Sequence, residues 1–178
     1  MLGFYEGFPV NAHKIVRFAT SISNKKLQQA LVQTVQKLNG EKLSLEEVAE
    51  PSIPACIVIF EFGIAEGDTF NYLDLVETQK VLEKIRKAPL HIMDFFCAIR
   101  YYKKQNGKKT PLKFDYYMLR LTFNAGFMEI NIFHERGPRH MLPEDIANII
   151  VNKVNEFFSK KVLKESNGSR VKGALSKS

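Results

Sequence analysis

The chain has 178 residues, 45% of them hydrophobic and 25% charged, with 14 phenylalanines, no tryptophan and a formal net charge of +7. That balance fits a single globular domain with a bulky core and excludes a disordered or fibrous chain. The longest apolar run, IPACIVIF at 53–60, is far shorter than the ~20 residues of a membrane-spanning helix, and Glu6 sits where a secretion signal would be apolar, so a cytoplasmic location is expected.

HKIVRFATSIS (13–23) alternates apolar and polar positions, with Val16, Phe18, Thr20 and Ile22 on one side, and predicts a strand. In NKKLQQALVQTVQKLNGEK, Leu27, Leu31, Val35 and Leu38 recur at helical spacing, between a cap at Ser23 or Asn24 and a stop at Asn39 and Gly40. LSLEEVAEP offers Ser44 and Glu47 as a capping box, but Pro51 ends whatever starts there within about a turn and a half. IPACIVIFEFGIAEG (53–67) is rich in β-branched and aromatic residues and predicts a buried strand. A second helix is predicted over about 72–87, halted by Pro89, with Leu75, Leu82 and Ile85 on its buried stripe. Residues 90–135 predict three strands joined by QNGK and NAGF, because Asn-Gly suits the positive φ angles of a type I′ turn. The final helix is expected from Pro143 to about Leu163, burying Ile146, Ile149, Ile150, Val154, Phe157 and Phe158, with Glu144 and Asp145 at the positive end of its dipole.

The expected fold is therefore α+β: a mostly antiparallel five-stranded sheet, in the order β-α-β-α-β-β-β-α, with three helices, the last long and C-terminal. Residues 1–163 form one domain and 164–178 a flexible basic tail. Cys56 and Cys97 fall inside predicted strands and read as small buried hydrophobes, not as a disulfide.

The tight Asn106-Gly107 turn fixes a register in which Phe95 faces Met118, Cys97 faces Tyr116, Ile99 faces Phe114 and Tyr101 faces Leu112. Near the turn the opposite face then carries Arg100, Tyr102, Lys113, Asp115 and Tyr117. Further away the apolar residues Leu90, Ile92, Leu119, Leu121 and Phe123 switch to that face, so the sheet is expected to be apolar on both sides, diagonally. A turn at Ala125-Gly126 places His134 opposite Tyr117 and Arg136 opposite Asp115. Arg139 and His140 follow, beside the free N–H groups of the last helix.

Charge is unevenly distributed: basic over 1–42, 84–140 and 159–178, acidic over 43–83. Cations interleaved with tyrosines on a sheet are what single-stranded nucleic acid requires, charges for phosphates and flat rings for bases. The same residues also suit an ordinary solvated sheet face. Arg100, Tyr102, Lys113, Tyr117, His134, Arg136, Arg139 and His140 are the candidate nucleic-acid or anion contacts. Lys25 and Lys26 join them, because they sit in a first helical turn against the macrodipole, as an anion site would favour.

NGKKT lacks the first glycine and the hydroxyl of a phosphate-binding loop, with Tyr102 and Lys109 in their places. His134 and His140 are too few for a metal site, and Glu61, Glu66 and Asp68 offer a hard-cation loop that is more commonly just solvated. No catalytic residue, metal or cofactor is assigned. The reading is a non-enzymatic module for RNA, DNA or another polyanion. The alternatives are an assembly subunit, forming a homodimer or joining a protein partner through a two-sided sheet, and a small-ligand protein or enzyme with a cavity under the C-terminal helix.

Overall fold

The computed structural model describes residues 1–49, 53 and 55–166. Along the chain run β1 (Lys14–Thr20), α1 (Asn24–Leu38), β2 (Lys42–Ser44), α2 (Leu45–Val48), β3 (Cys56–Glu66), β4 (Thr69–Tyr72), α3 (Leu75–Lys87), β5 (Ile92–Gln105), β6 (Lys108–Pro111), β7 (Asp115–Asn124), β8 (Phe127–Arg136), α4 (Pro143–Phe158) and β9 (Leu163–Glu165). The fold is α+β on an antiparallel sheet, but the described residues form nine strands and four helices, where five and three were expected. Each added element has only three or four residues: β2, β4, β6, β9 and the single turn α2. A periodicity cannot show itself over so few positions, and these pieces exist because a neighbouring strand or cap pairs with them.

The strands lie in the order β2-β3-β5-β7-β8-β1-β9, with β4 added to β3 and β6 to β5. All helices of more than one turn cover one face. α1 packs against both α3 and α4, and its Leu27, Leu31, Val32 and Val35 are fully buried, each worth about 1.5–3 kcal/mol relative to exposure. Its ends are fixed by side chains. The Ser23 hydroxyl accepts from the Lys26 N–H at 3.2 Å. The Asn39 amide accepts from the Phe62 N–H at 2.5 Å and donates to the Leu73 carbonyl at 2.9 Å, tying the helix to the strands beneath it.

Two helix details depart from the sequence reading. α3 is capped by Asp74, which sets its buried stripe on Thr78, Val81 and Ile85 and leaves Leu75 68% exposed. α4 stops at Ser159, in the left-handed region at φ 55°, so Phe157 is left exposed. The chain then turns back: the Asn155 side chain clasps the Leu163 N–H and carbonyl at 2.9 and 3.0 Å, and Leu163 opens β9. Lys164 and Glu165, expected in the tail, thus pair with β1. The remainder of the proposed tail from residue 167 lies outside the described residues.

The decisive correction is one of register. Near the turn the pairing is as expected, with Gln105 opposite Lys108 and Tyr102 opposite Pro111, and with Asn106 and Gly107 both at positive φ. Between β6 and β7 the chain then takes one residue more than a plain hairpin. Ile99 faces Asp115, not Phe114; Cys97 faces Tyr117 and Phe95 faces Leu119. Pro111, which has no N–H to give the ladder, ends β6 just before this step. A one-residue slip moves every side chain of a strand to its other face. Asp115 and Tyr117 therefore point inward, alongside Phe95, Cys97, Ile99 and Tyr101, and all are buried. The diagonal, two-sided apolar sheet does not form; a single continuous core runs across β3, β5, β7, β8 and β1. The β7–β8 pairing keeps Tyr117 opposite His134, as expected, but a bulge beyond it sets Arg136 opposite Tyr116 instead of Asp115.

Candidate functional site

The face of the sheet turned away from the helices can be laid out row by row, because paired residues share a side. One row holds Ser44, Ile57, Tyr102 and Pro111. The next holds Lys42, Ile59 and Arg100. Glu61, Ala98, Tyr116 and Arg136 follow, and then Phe96, Met118 and Phe133. At the far end Asp94 and Arg120 are closed over by the N-terminal segment. Arg120 grips Asp94 through two contacts of 2.8 Å, Asp94 accepts from the Tyr5 N–H at 2.8 Å, and the guanidinium lies 5.0 and 4.6 Å from the Phe4 and Phe8 ring centres. That end is structural.

The middle of this face carries aromatic rings in continuous contact. Tyr5 to Phe70, Phe70 to Phe96, Phe96 to Tyr116 and Tyr116 to Phe114 have centroid separations of 4.9, 5.6, 5.6 and 6.1 Å. Phe114 is 38% exposed, and Phe70, Phe96 and Tyr116 are half-buried. Beside the rings, Arg100 pairs with Glu61 at 2.9 Å and keeps its Nε–H buried without an acceptor among the described residues. Arg136 is exposed next to Tyr116. Lys104 and Lys109 face each other across the β5–β6 hairpin. The Lys109 ammonium is held below the usual lysine range, chiefly by the Lys42 ammonium beside it, then by partial loss of water contact, and last by Lys104. Flat rings bordered by cations can stack bases and neutralise phosphates.

The corner FHERGPRHMLPEDI serves a different purpose. Asp115, fully buried, accepts from the Tyr101 hydroxyl at 2.6 Å, from His134 Nε2 at 2.9 Å and from the backbone N–H groups of Arg139 and His140 at 2.6 and 2.8 Å. Gly137, at φ 115°, lets the loop close over it, since a Cβ there would lie 2.2 Å from the Phe114 carbonyl oxygen. Tyr117 donates to the Met141 carbonyl. The corner is a wrap around one carboxyl group, with all of its donors supplied by the protein.

Burial first, and then Asp115 nearby, push the Cys97 thiol and the Tyr101 and Tyr117 phenols up from their ordinary values. The sign follows directly. A raised pKa gives stability that is present below the unfolded value and is lost as pH climbs, because the unfolded chain ionises from about pH 9–10 while the folded one holds its protons. Thermal unfolding followed against pH should show stability falling above about pH 9, by up to about 1.4 kcal/mol per pH unit for each group. Tyr117→Phe should make that fall shallower; a flat stability curve between pH 9 and 11 would contradict the account.

The residues singled out from sequence thus fall in three places. Arg100, Tyr102 and Arg136 share the outer face, with Lys113 exposed on the step between β6 and β7. Tyr117 and His134 face the core, and Arg139 and His140 cap Asp115 through their backbones, His140 also lying edge-on to Tyr101 at 4.9 Å. Lys25 and Lys26 are exposed at the start of α1, in the helical layer across the sheet. Of the acidic candidates, Glu61 pairs with Arg100 and Glu66 with Lys80, and no cluster of three or more metal-ligating side chains occurs among the described residues. Sequence reasoning missed Phe96, Phe114, Tyr116 and Lys42. The extra residue before Asp115 turns Tyr116 outward in place of Tyr117 and frees Phe114; Phe96 follows from simple alternation with Arg100 along β5, and Lys42 sits on a three-residue strand that carries no periodic signal. No family model, curated protein or solved structure matches this chain.

Proposed function

We propose that this protein is a non-enzymatic module that binds nucleic acid in single-stranded form on the outer face of its sheet. The observation carrying this reading is the run of rings from Phe70 through Phe96 and Tyr116 to Phe114, flanked by Arg100 and Arg136 and continued by the lysines of the β5–β6 hairpin. Bases stack on such rings whatever their identity, and the cations follow the phosphates. An overall charge of +7 favours encounter with a polyanion.

The test is the affinity for a single-stranded oligonucleotide at a series of salt concentrations. Each phosphate neutralised contributes about −0.7 to the slope of log K against log salt for single strands. A slope of about −2 or steeper is expected, and Lys113→Glu with Arg136→Glu should flatten it. A response independent of salt would overturn the reading.

A further inference from the structure

Three ammonium groups converge at one end of the outer face. Lys42 on β2, Lys104 on β5 and Lys109 on β6 line an open depression of about 500 Å³, together with Ser44, Ile57 and the edge of Glu46. Lys104 and Lys109 are directly opposed on the hairpin, an arrangement that costs free energy in a sheet. Lys42 reaches across β3 from two strands away from Lys104 and three from Lys109, close enough to hold the Lys109 ammonium below its ordinary range. None of the three has a carboxylate at ion-pair distance among the described residues. Glu46 is engaged locally, accepting from the Ser44 hydroxyl at 3.4 Å. No ion pair among the described residues therefore relieves the crowding; the Glu46 carboxylate lines the same depression without pairing with any of the three, and a bound anion of higher charge would relieve the repulsion.

An internal phosphodiester carries one negative charge and leaves most of the repulsion in place. A terminal phosphate carries close to two near neutral pH and presents three acceptor oxygens, one for each ammonium. Tyr102, in the same row as Ser44, lies between this depression and the rings of the sheet.

We infer that the depression lined by Lys42, Lys104 and Lys109 binds the terminal phosphate of a nucleic-acid strand whose bases lie along the outer face. This rests on the function proposed above and adds to it: the strand is recognised by its end. The same phosphate chemistry occurs in free pyrophosphate, and the experiment separates the two sources.

Oligonucleotides of one sequence, bearing a 5′-phosphate, a 3′-phosphate or hydroxyls at both ends, are titrated against the full chain by fluorescence anisotropy. A phosphate at one of the two ends should tighten binding by about tenfold over the hydroxyl-ended strand. Lys42→Gln with Lys109→Gln should abolish that gain while retaining binding of the hydroxyl-ended strand. Equal affinity for all three strands, or a gain that survives the double substitution, would overturn the inference and leave the nucleic-acid reading standing. Pyrophosphate that saturates the depression while the terminal phosphates confer nothing would assign it to a free ligand and equally overturn it. If no strand binds at all, both proposals fall.

Discussion

Asp115→Ala should lower the unfolding free energy by about 3–5 kcal/mol. The substitution removes the acceptor for the Tyr101 hydroxyl, His134 Nε2 and two backbone N–H groups at once, and none of these has water close by to replace it, because the carboxyl group is fully buried. Asp115→Asn should be milder, since it keeps one acceptor oxygen, but it places an amide donor against other donors and still destabilises. Urea unfolding reads the effect as a lower midpoint with an unchanged slope. A loss below about 1 kcal/mol for the alanine variant would mean that the corner from Gly137 to Met141 is not organised by Asp115. Oligonucleotide affinity measured well below the new midpoint should stay near that of the parent protein, because Asp115 faces the helices.

Phe96→Ala with Tyr116→Ala should have the opposite profile. Each ring that stacks a base contributes about 1–3 kcal/mol, so the double variant should bind a single-stranded oligonucleotide roughly 30-fold more weakly or worse. Both side chains are half-buried on the open face, so the fold should survive, and the unfolding midpoint checks that it does. Tyr116→Phe keeps the ring and should keep the affinity. Parent-like binding by the double alanine variant would remove base stacking from the account and leave only the cations.

Much of the frame was legible in the chain. The helix over 24–38 is legible in Leu27, Leu31, Val35 and Leu38 and in the punctuation on either side, and Asn106-Gly107 marks a turn that the protein forms with both residues at positive φ. What failed was the extrapolation along β7. Pairing rules carry a register forward only while both strands advance together, and nothing in the local propensities of Leu112, Lys113 and Phe114 says that one of them is surplus. The clue was chemical: a register that places Phe114 among core residues and Asp115 outside looks sensible by hydropathy alone, whereas the four donors that favour burying Asp115 come from Tyr101, His134 and a loop more than twenty residues further on. Long-range satisfaction of one polar group outweighed local patterning. The candidate site suffered from the same slip. Arg100, Tyr102 and Arg136 came out on the intended surface, while Tyr117 and His134 exchanged places with Tyr116 and Phe114.

The hairpin tip has a mechanical character unlike the rest of the face. β5 is paired on both sides as far as Lys103, its last rung on β3, and beyond it the one backbone contact from outside the hairpin among the described residues runs from the Lys104 N–H to the Ala55 carbonyl at 2.9 Å. Past that point β5 and β6 pair only with each other among the described residues, a two-stranded ribbon, which is the softest way a sheet can end. The outer face therefore grades from a stiff plate bearing the rings to a compliant arm bearing lysines. A ligand seated on the plate finds its partners preorganised, whereas one engaging the arm must give up some of its binding energy to hold the arm still.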